Sequence, residues 1–467
     1  MSQWRVLLRT SSLPGVDESQ AVNRLPSCRF IGVVPVPGDV EAWFARLRRV
    51  GLNPVALGTC LIATDAALTP PVSDGSRLTF VLGGIRGNRC DSLSSLHSLA
   101  RVSDDAAFIQ VDRRRRRVRL FRAWTGATPL YFALVRGTVV FSTRLALLLS
   151  CQTASQSIRA VGPGTECDIS RSTLAHRCMR AQEITRPMRV PRNREKLIRL
   201  VQRLVVASVH RFTADRAIVL LSGGVDSTIL AYLLKRRVRQ LEAVVVSIDS
   251  ARDADSASDL YMARQAASWL GIHLHEVMVS PGDAIGVVPE VIRLSETRRA
   301  SIVDELSGMY FLARHVRSLG FAYAYTGEGP DDIFGGLEFQ LRFTPLHRLH
   351  DAMRRNFEEE LPTELAAHQK LFTDAAGVTL IHPFLYRPLV RMAFNLPPRQ
   401  LVDRPRRMKL LLRQAFAAAI PREFVWRDKA ITRVASGLKR VQEAHFGAKP
   451  TRYYGLYRTW LNSLTAP

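Results

Sequence analysis

Strand-length and helix-length hydrophobic patterns alternate through the second half of this chain. Apolar runs of strand length occur at 217–221, 242–248, 273–279 and 321–325. Apolar residues at helical spacing occur at 195–212, 228–236, 257–270 and 301–318. Alternating strands and helices are typical of a mostly parallel, doubly wound α/β sheet. From about residue 340 onward, the pattern predicts helices.

The first part of the chain has a different pattern, which predicts short strands and turns. Two prolines and scattered charges at 184–194 predict a linker. We therefore expect two domains, at 1–183 and 195–467. No apolar run approaches the ~20 residues that cross a bilayer, and Arg5 and Arg9 interrupt the start of the chain. These features predict a cytoplasmic protein with no transmembrane segment.

The formal net charge of +25 comes almost entirely from arginine. The bias reflects genome composition or a positive field that attracts anions such as ATP, acidic peptides or nucleic acid. The run Arg113 to Arg117 resembles a nucleic-acid patch. Because it lies between the strand-like segments 108–111 and 118–121, we expect a solvated hairpin tip and no nucleic-acid partner.

The spacing of the cysteines and histidines does not predict a metal site. The six cysteines contain no C-x-x-C pair, so we expect buried free thiols in a reducing compartment. They are Cys28, Cys60, Cys90, Cys151, Cys167 and Cys178. His273 and His275 alternate, and we interpret them as one face of a strand because further metal ligands are missing.

The first motif with chemical content is Ser222 to Ser227, Ser-Gly-Gly-Val-Asp-Ser, after the strand predicted at 217–221. We expect a helix to begin at Thr228. The paired glycines let the backbone approach a phosphate, and the serines and helix-start N–H groups can bind it. Neither a Walker A loop nor a G-x-G-x-x-G turn is present. The string resembles the pyrophosphate loop of ATP pyrophosphatases, which cleave ATP between the α and β phosphates.

A second glycine-rich motif, Gly327-Glu328-Gly329-Pro330-Asp331-Asp332, follows the strand predicted at 321–325. Carboxylates this close together repel one another unless a cation lies among them. Asp226 and Asp331 both follow strand ends, where ligands of such sheets bind. Mg²⁺ takes one or two carboxylates and fills its other positions with phosphates and water. We therefore expect ATP and Mg²⁺ as cofactors.

The two motifs resemble the synthetase domain of asparagine synthetases and their relatives, the β-lactam synthetases and lasso peptide cyclases. Other segments fit the same family: 259–271, 275–277, 309–314, 383–385, 409–413, 420–421 and 426–429. Residues 121–132 and 141–143 resemble the end of its glutaminase-like domain. The resemblance implies a degenerate Ntn-type sandwich followed by a PP-loop ATP pyrophosphatase domain with a helical C-terminal part.

The resemblance also implies roles for individual residues. It places the nucleotide on Leu220, Ser222, Gly223, Gly224, Val225, Asp226, Ser227, Ser247 and Gly327, and magnesium on Asp226 and Asp331. Lys429 would stabilise charge on the phosphates or the tetrahedral intermediate, and Glu328 would be the base for the attacking amine. Tyr386 stands where asparagine synthetases usually carry an acidic residue, which argues against an aspartate-specific site. With Glu328 it repeats the Tyr–Glu pair of β-lactam synthetases, with the residue types exchanged.

Departures from the family define the leading hypothesis. Glutamine-using members need a cysteine nucleophile at the processed N-terminus, whereas this chain begins Met1-Ser2 and Cys28 lies too far in. We therefore expect no glutaminase activity and an attacking amine supplied by the substrate. The hypothesis is a lasso-type macrolactam synthetase that adenylates an Asp or Glu side chain of a ribosomal precursor peptide. The peptide's N-terminal amine then displaces AMP.

Partners and alternatives follow from the same resemblance. The expected partners are the precursor peptide and, in the same pathway, a leader peptidase and a leader-binding protein. An ammonia-dependent asparagine synthetase and a β-lactam synthetase are alternatives in the same class. A tRNA-modifying ATP pyrophosphatase would suit the arginine content, but this chain lacks the C-x-x-C zinc element expected of that class. A catalytically dead scaffold is disfavoured by Asp226, Asp331 and Lys429.

Overall fold

The structure is a computed structural model with fifteen described stretches of chain. They are residues 30–35, 39–49, 52, 54–57, 60–64, 72–73, 76–82, 104–151, 157–181, 187–212, 215–248, 258–337, 344–403, 407–427 and 437–465. Met1, Ser2, Cys28, Cys90, Lys429 and part of the predicted linker lie outside them. No helix within these stretches is long and apolar enough to cross a membrane.

The N-terminal part is a sandwich of two six-stranded antiparallel sheets. The strands of the first sheet, in spatial order, are β10 (Arg159–Ala160), β8 (Tyr131–Val135), β9 (Thr138–Ser142), β1 (Phe30–Val34), β3 (Cys60–Thr64) and β2 (Val55–Leu57). Those of the second are β12 (His176–Arg180), β11 (Thr165–Ser170), β7 (Arg117–Arg122), β6 (Ala107–Asp112), β5 (Arg77–Leu82) and β4 (Val72–Ser73). Helices α1 (Val40–Arg49) and α2 (Leu145–Ser150) accompany the first sheet.

The two sheets enclose one hydrophobic layer. Phe30 and Phe141 from the first sheet meet Phe80 and Leu120 from the second, and each is at most 2% exposed. This burial confirms the expected sandwich. The run 113–116 forms the exposed turn between β6 and β7, which confirms the predicted hairpin tip.

A five-stranded parallel sheet forms the centre of the C-terminal part. Its strands, in spatial order, are β15 (His273–Val279), β14 (Gln240–Ile248), β13 (Arg216–Leu220), β16 (Tyr323–Tyr325) and β17 (Thr379–Ile381). The first four confirm the predicted strands, although β16 begins two residues later than expected. Strand β17 was missed, since its three residues lie in a region with a helical pattern.

Helices pack on both faces of this sheet. They are α3 (Arg194–His210), α4 (Val225–Lys235), α5 (Asp259–Leu270), α6 (Pro281–Gly286), α7 (Val288–Ser295), α8 (Ala300–Ser318), α9 (Pro330–Ile333), α10 (Leu349–Arg355), α11 (Leu361–Ala376), α12 (Arg387–Phe394), α13 (Pro398–Leu401), α14 (Leu410–Phe416), α15 (Arg422–Val425), α16 (Leu438–Phe446) and α17 (Tyr454–Thr465). Neighbouring residues of β13 alternate between the two cores, with Ile218 in one and Val219 in the other. The predicted doubly wound sheet is thus confirmed. Helix α4 begins at Val225, three residues before the predicted start at Thr228.

The cysteines depart from the expected free thiols. Cys60 and Cys151 are free and buried, as predicted. Cys167 and Cys178, however, lie directly opposite each other on β11 and β12 and form a disulfide. The spacing of the two cysteines in the sequence does not predict this disulfide, because the pairing depends on the register of β11 and β12.

His273 and His275 lie on one strand, as their alternation in the sequence predicts. His273 and His275 both lie on β15, and their rings are 4.4 Å apart. His275 Nε2 lies 2.8 Å from a carboxylate oxygen of Glu242 on the neighbouring strand. The contact is a cross-strand pair.

A buried ionic contact joins the sandwich to the C-terminal part. Glu296, which ends α7, accepts hydrogen bonds from the Leu145 and Ala146 amides at the start of α2, at 3.1 and 2.9 Å. Lys370 Nζ on α11 lies 2.9 Å from the same carboxylate. Burial raises the pKa of Glu296, but Lys370, Arg144 and the Ala146 amide outweigh it, so the pKa lies below its usual value.

Replacing Glu296 with glutamine should destabilise the protein by about 3–5 kcal/mol, the usual cost of breaking a buried ion pair. Because the folded-state pKa is depressed, this stabilisation is present above the ordinary glutamate pKa and is lost as pH falls below it. Urea unfolding of wild type and variant from neutral to acidic pH measures both effects. Glu290→Gln, on the exposed face of the same helix, is the control. Equal losses in the two variants would contradict this account.

Candidate active site

The loop after β13 is wound tightly at the start of α4. Gly223 has φ +69°, and a Cβ there would lie within 2.5 Å of Met262 on α5, so only glycine fits. The Ser222 and Ser227 hydroxyls lie 3.2 Å apart, and Ser222 Oγ also accepts from the Gly224 amide at 3.4 Å. Helix α4 begins directly after this loop, with Gly224 as its N-cap residue. Such a helix start favours an anion.

This loop lies at the topological switch point of the sheet. Strand β13 pairs with β14 on one side and with β16 on the other, so the connections diverge at this edge. The loop after β16 touches the first loop, because a Cβ on Gly327 would be 3.0 Å from the Ser227 amide nitrogen. Ligands of open α/β sheets bind in such a crevice. Leu220 and Ser247 end or approach the ends of β13 and β14 at the same edge.

Asp226 and Asp331, one from each loop, converge on a single cation. The Lys409 ammonium contacts a carboxylate oxygen of Asp226 and lies 2.9 Å from Asp331 Oδ1. Burial lowers the pKa of Lys409, but the two aspartates outweigh it and raise the pKa above its usual value. The lysine is therefore a charged bridge between the two carboxylates.

Gly336 provides the room for this bridge. A Cβ at Gly336 would overlap both Asp331 Oδ1 and the Lys409 side chain. Lys409 itself has φ +57° and is 3% exposed. The same packing constrains the backbone at Gly336 and at Lys409. The contact of Lys409 with the two aspartates therefore depends on the conformation of these segments.

The donor set fits a divalent cation. Asp226 and Asp331 supply two carboxylates that already point toward one positive atom, and Asp226 lies in the first turn of α4. Mg²⁺ prefers this combination of few carboxylates with phosphate oxygens. The structure brings the two predicted ligands together.

Glu328 lies in the second loop, three residues before Asp331, in strongly negative surroundings. Burial raises its pKa well above the usual value, and the negative charges of Glu305, Glu364, Asp332 and Asp331 raise it further. A carboxylate with a raised pKa is a stronger base than an ordinary glutamate once it has lost its proton.

Tyr386 is held by a different neighbour. Its ring lies under the Arg211 guanidinium, 4.9 Å from the ring centre. The preceding residue, Leu385, packs on the Glu328 loop, because a Cβ on Gly329 would be 2.8 Å from it. Tyr386 therefore borders the same region, and its pairing with Glu328 stays a prediction.

The segment that leads to Lys429 is well anchored. Arg413 donates to the Arg427 carbonyl oxygen at 3.1 Å, and an Arg427 nitrogen lies 3.7 Å from Asp259 Oδ1. Burial raises the pKa of Asp259 to about 7, although Arg427 opposes the change. Lys429 lies outside the described residues, so its role stays a prediction.

Sequence reasoning missed Lys409 as a site residue. A usable signal was present, since only seven lysines occur beside an abundance of arginine. The sequence analysis assigned a catalytic role to Lys429 and to no other lysine. A second omission is Asn356, whose side-chain amide donates to Asp332 at 2.7 Å from a π-helical segment, Asn356–Glu360.

Comparison with known proteins gives the family. The Asparagine synthase family model matches residues 200–345 and 342–446, more than half of the chain. The chain belongs to the asparagine synthase family. Homologues in this family are ATP-dependent amide-forming ligases.

Curated relatives of this asparagine synthase family chain are glutamine-hydrolyzing asparagine synthetases. That of Mesocricetus auratus is 28% identical over 240 residues, which cover 50% of this chain and 42% of the relative. Asparagine synthetase B of Escherichia coli strain K12 is 28% identical over 226 residues, 45% of this chain and 40% of the relative. The chain thus spans less than half the length of these relatives.

Solved structures resemble the chain only distantly. NMN synthetase from Francisella tularensis is 12% identical, with a TM-score of 0.28, over 59% of this chain and 98% of that one. Glutamine phosphoribosylpyrophosphate amidotransferase from B. subtilis, complexed with ADP and GMP, is 11% identical, with a TM-score of 0.23, over 54% and 60%. Scores this low support no conclusion about function.

Proposed function

We propose that this asparagine synthase family chain forms a macrolactam in a ribosomal peptide, at the expense of ATP. An Asp or Glu side-chain carboxylate of the peptide attacks the α-phosphate of ATP, and pyrophosphate leaves. The peptide's N-terminal amine then attacks the acyl carbon, and AMP leaves with the electron pair of the broken C–O bond. The observation that carries the ATP chemistry is the convergence of Asp226 and Asp331 at the switch point.

Each part of the site has a place in this reaction. The amides at the start of α4, with Ser222 and Ser227, bind the pyrophosphate group. Asp226 and Asp331 would hold Mg²⁺, which supplies charge neutralisation on the phosphates when bound. Lys429 would stabilise charge on the phosphates or the tetrahedral intermediate. Most of the rate gain in such a transfer comes from positioning and fixed charges.

Glu328 acts on the attacking amine in this proposal. The amine must lose a proton before its lone pair is available, and the raised pKa of Glu328 makes it an effective acceptor. The leader peptidase and leader-binding protein of a lasso pathway remain part of the proposal as partners.

Ammonia-dependent asparagine synthesis is the second candidate. The named relatives favour it, because they are asparagine synthetases. Tyr386, in place of an acidic residue after Leu385, favours the peptide substrate instead.

Two incubations separate the candidates. A peptide with a free N-terminal glycine and an internal aspartate should lose one water and yield AMP and pyrophosphate, whereas its N-acetylated form should not cyclise. Free aspartate with ammonium chloride should give no asparagine. Mass spectrometry and nucleotide chromatography measure the products. Asparagine formation without peptide cyclisation would replace this proposal with the second candidate.

A further inference from the structure

One carboxylate of the sandwich contacts two arginines of the C-terminal part. Asp104, just before β6, is 7% exposed. Its Oδ2 lies 3.0 Å from a guanidinium nitrogen of Arg211, the residue after α3, and its Oδ1 lies 3.3 Å from Arg387 at the start of α12. Trp124 Nε1 also donates to Asp104 Oδ1, at 2.9 Å. Asp104 therefore links side chains from both parts of the chain.

Arg211 carries this link to the region of the second loop. One of its nitrogens donates to the Leu385 carbonyl oxygen at 3.3 Å, and its guanidinium carbon lies 4.9 Å from the centre of the Tyr386 ring. Leu385 in turn packs on Gly329 in the second loop. The contacts therefore run from Asp104 through Arg211 to residues 385–386, and from there to the loop that follows β16.

Two guanidinium groups share the single negative charge of Asp104. The side chains of Asp104, Arg211 and Arg387 are at most 26% exposed. Burial lowers the pKa of Arg387, and the positive charge of Arg391 lowers it further. A buried charge that loses its partner costs free energy. The carboxylate of Asp104 therefore fixes where the two guanidinium groups lie.

We propose that Asp104 is a positioning residue for the amide-forming reaction: it holds Arg211, and Arg211 holds residues 385–386 against the second loop. The sandwich thus contributes to the synthetase site without contacting the substrate, in a role separate from glutamine hydrolysis. This inference goes beyond the proposed function, and it applies equally to a peptide substrate and to aspartate with ammonia.

A second ion pair between the two parts provides a matched control. Arg144, just before α2, donates to both carboxylate oxygens of Asp374 on α11, at 3.1 and 2.6 Å. This pair is also largely buried, but it joins the parts at α2 and α11 and not at residues 385–386. Asp374→Asn therefore weakens the same junction by the same chemical change. A purely structural role of Asp104 predicts equal effects of Asp104→Asn and Asp374→Asn.

Hydrogen exchange of the full chain, followed by mass spectrometry, tests the positioning without turnover. In Asp104→Asn the side-chain oxygen can still accept from Trp124, but the new amide group presents a donor to Arg211. Exchange of the 382–387 amides should rise by about tenfold or more, the scale of one hydrogen bond to a charged group. Asp374→Asn should leave this exchange at the wild-type rate. Thermal melting reports whether each variant is folded.

Arg211→Lys is the second variant, and it makes the test independent of whether Asp104→Asn folds. Lysine keeps a positive charge for Asp104 but lacks the planar fork that reaches Leu385 while lying on the Tyr386 ring. Exchange at 382–387 should rise in this variant as well. Unchanged exchange in folded Asp104→Asn or in folded Arg211→Lys would overturn the inference.

Kinetics give the second measurement. AMP release is followed with the peptide, or with aspartate and ammonium, whichever pair the wild type turns over. Asp104→Asn should lower kcat by about tenfold or more with the KM for ATP unchanged, whereas Asp374→Asn should keep the wild-type kcat. The double variant Asp104→Asn/Arg211→Lys should lose no more than the worse single variant, because both act on one contact.

Equal losses of kcat in Asp104→Asn and Asp374→Asn would overturn the inference, as would a double variant whose loss is the product of the two single losses. Failure of the wild type to cyclise the peptide contradicts the proposed function alone, since the exchange measurement needs no substrate.

Discussion

Asp331→Asn should lower ATP-dependent AMP formation by about 10²–10³-fold, the scale for removing one preorganised charge from a reacting site. The substitution preserves the shape of the side chain and removes its charge, so a bound Mg²⁺ would lose one of its two proposed protein ligands. Lys409 keeps its contact with Asp226, and the fold should therefore persist. Nucleotide chromatography measures the rate, and circular dichroism measures the fold.

Asp283→Asn is the matched control for Asp331→Asn. It makes the same chemical change at an exposed residue on α6, far along the chain from both loops. We expect normal activity from this control. An Asp331→Asn enzyme that is folded and forms AMP at the wild-type rate would remove Asp331 from the metal site.

Lys409→Met should destabilise the metal-free protein by about 3–5 kcal/mol, because it leaves two carboxylates facing each other without their shared ammonium. It should also change the response to Mg²⁺. In the wild type, Mg²⁺ would compete with the lysine for Asp226 and Asp331. In the variant, Mg²⁺ would replace the positive charge that the lysine supplied. Mg²⁺ alone should therefore raise the Tm of the variant more than that of the wild type.

The comparison is made by thermal melting with and without Mg²⁺, in the absence of ATP. Lys439→Met provides the control, since this lysine forms only a half-exposed pair with Glu443 one helical turn away. Its Tm and its response to Mg²⁺ should match those of the wild type. The same Mg²⁺ response in Lys409→Met and wild type would show that the bridge does not occupy the metal position.

Local sequence patterns predicted the elements that position the nucleotide site. Apolar runs of strand length that break at glycines located β13 and β16, and parallel pairing then brought Asp226 and Asp331 to one edge. The prediction succeeded there because strand ends in a parallel sheet share an edge by geometry.

Long-range contacts were beyond the reach of these patterns. Lys409 meets Asp226 across 183 positions of sequence, and no periodicity encodes that meeting. The disulfide of Cys167 and Cys178 depends on strand register, which the spacing of the cysteines does not give.

The most direct measurement of the central claim follows an oxygen atom. A peptide with a free amino terminus and an aspartate carboxyl group labelled with heavy oxygen is incubated with the enzyme, ATP and Mg²⁺. If the carboxylate attacks the α-phosphate, one labelled oxygen should leave with AMP, and mass spectrometry should find the label there. Label in inorganic phosphate with formation of ADP, or cyclised peptide with unlabelled AMP, would contradict adenylation by this asparagine synthase family chain.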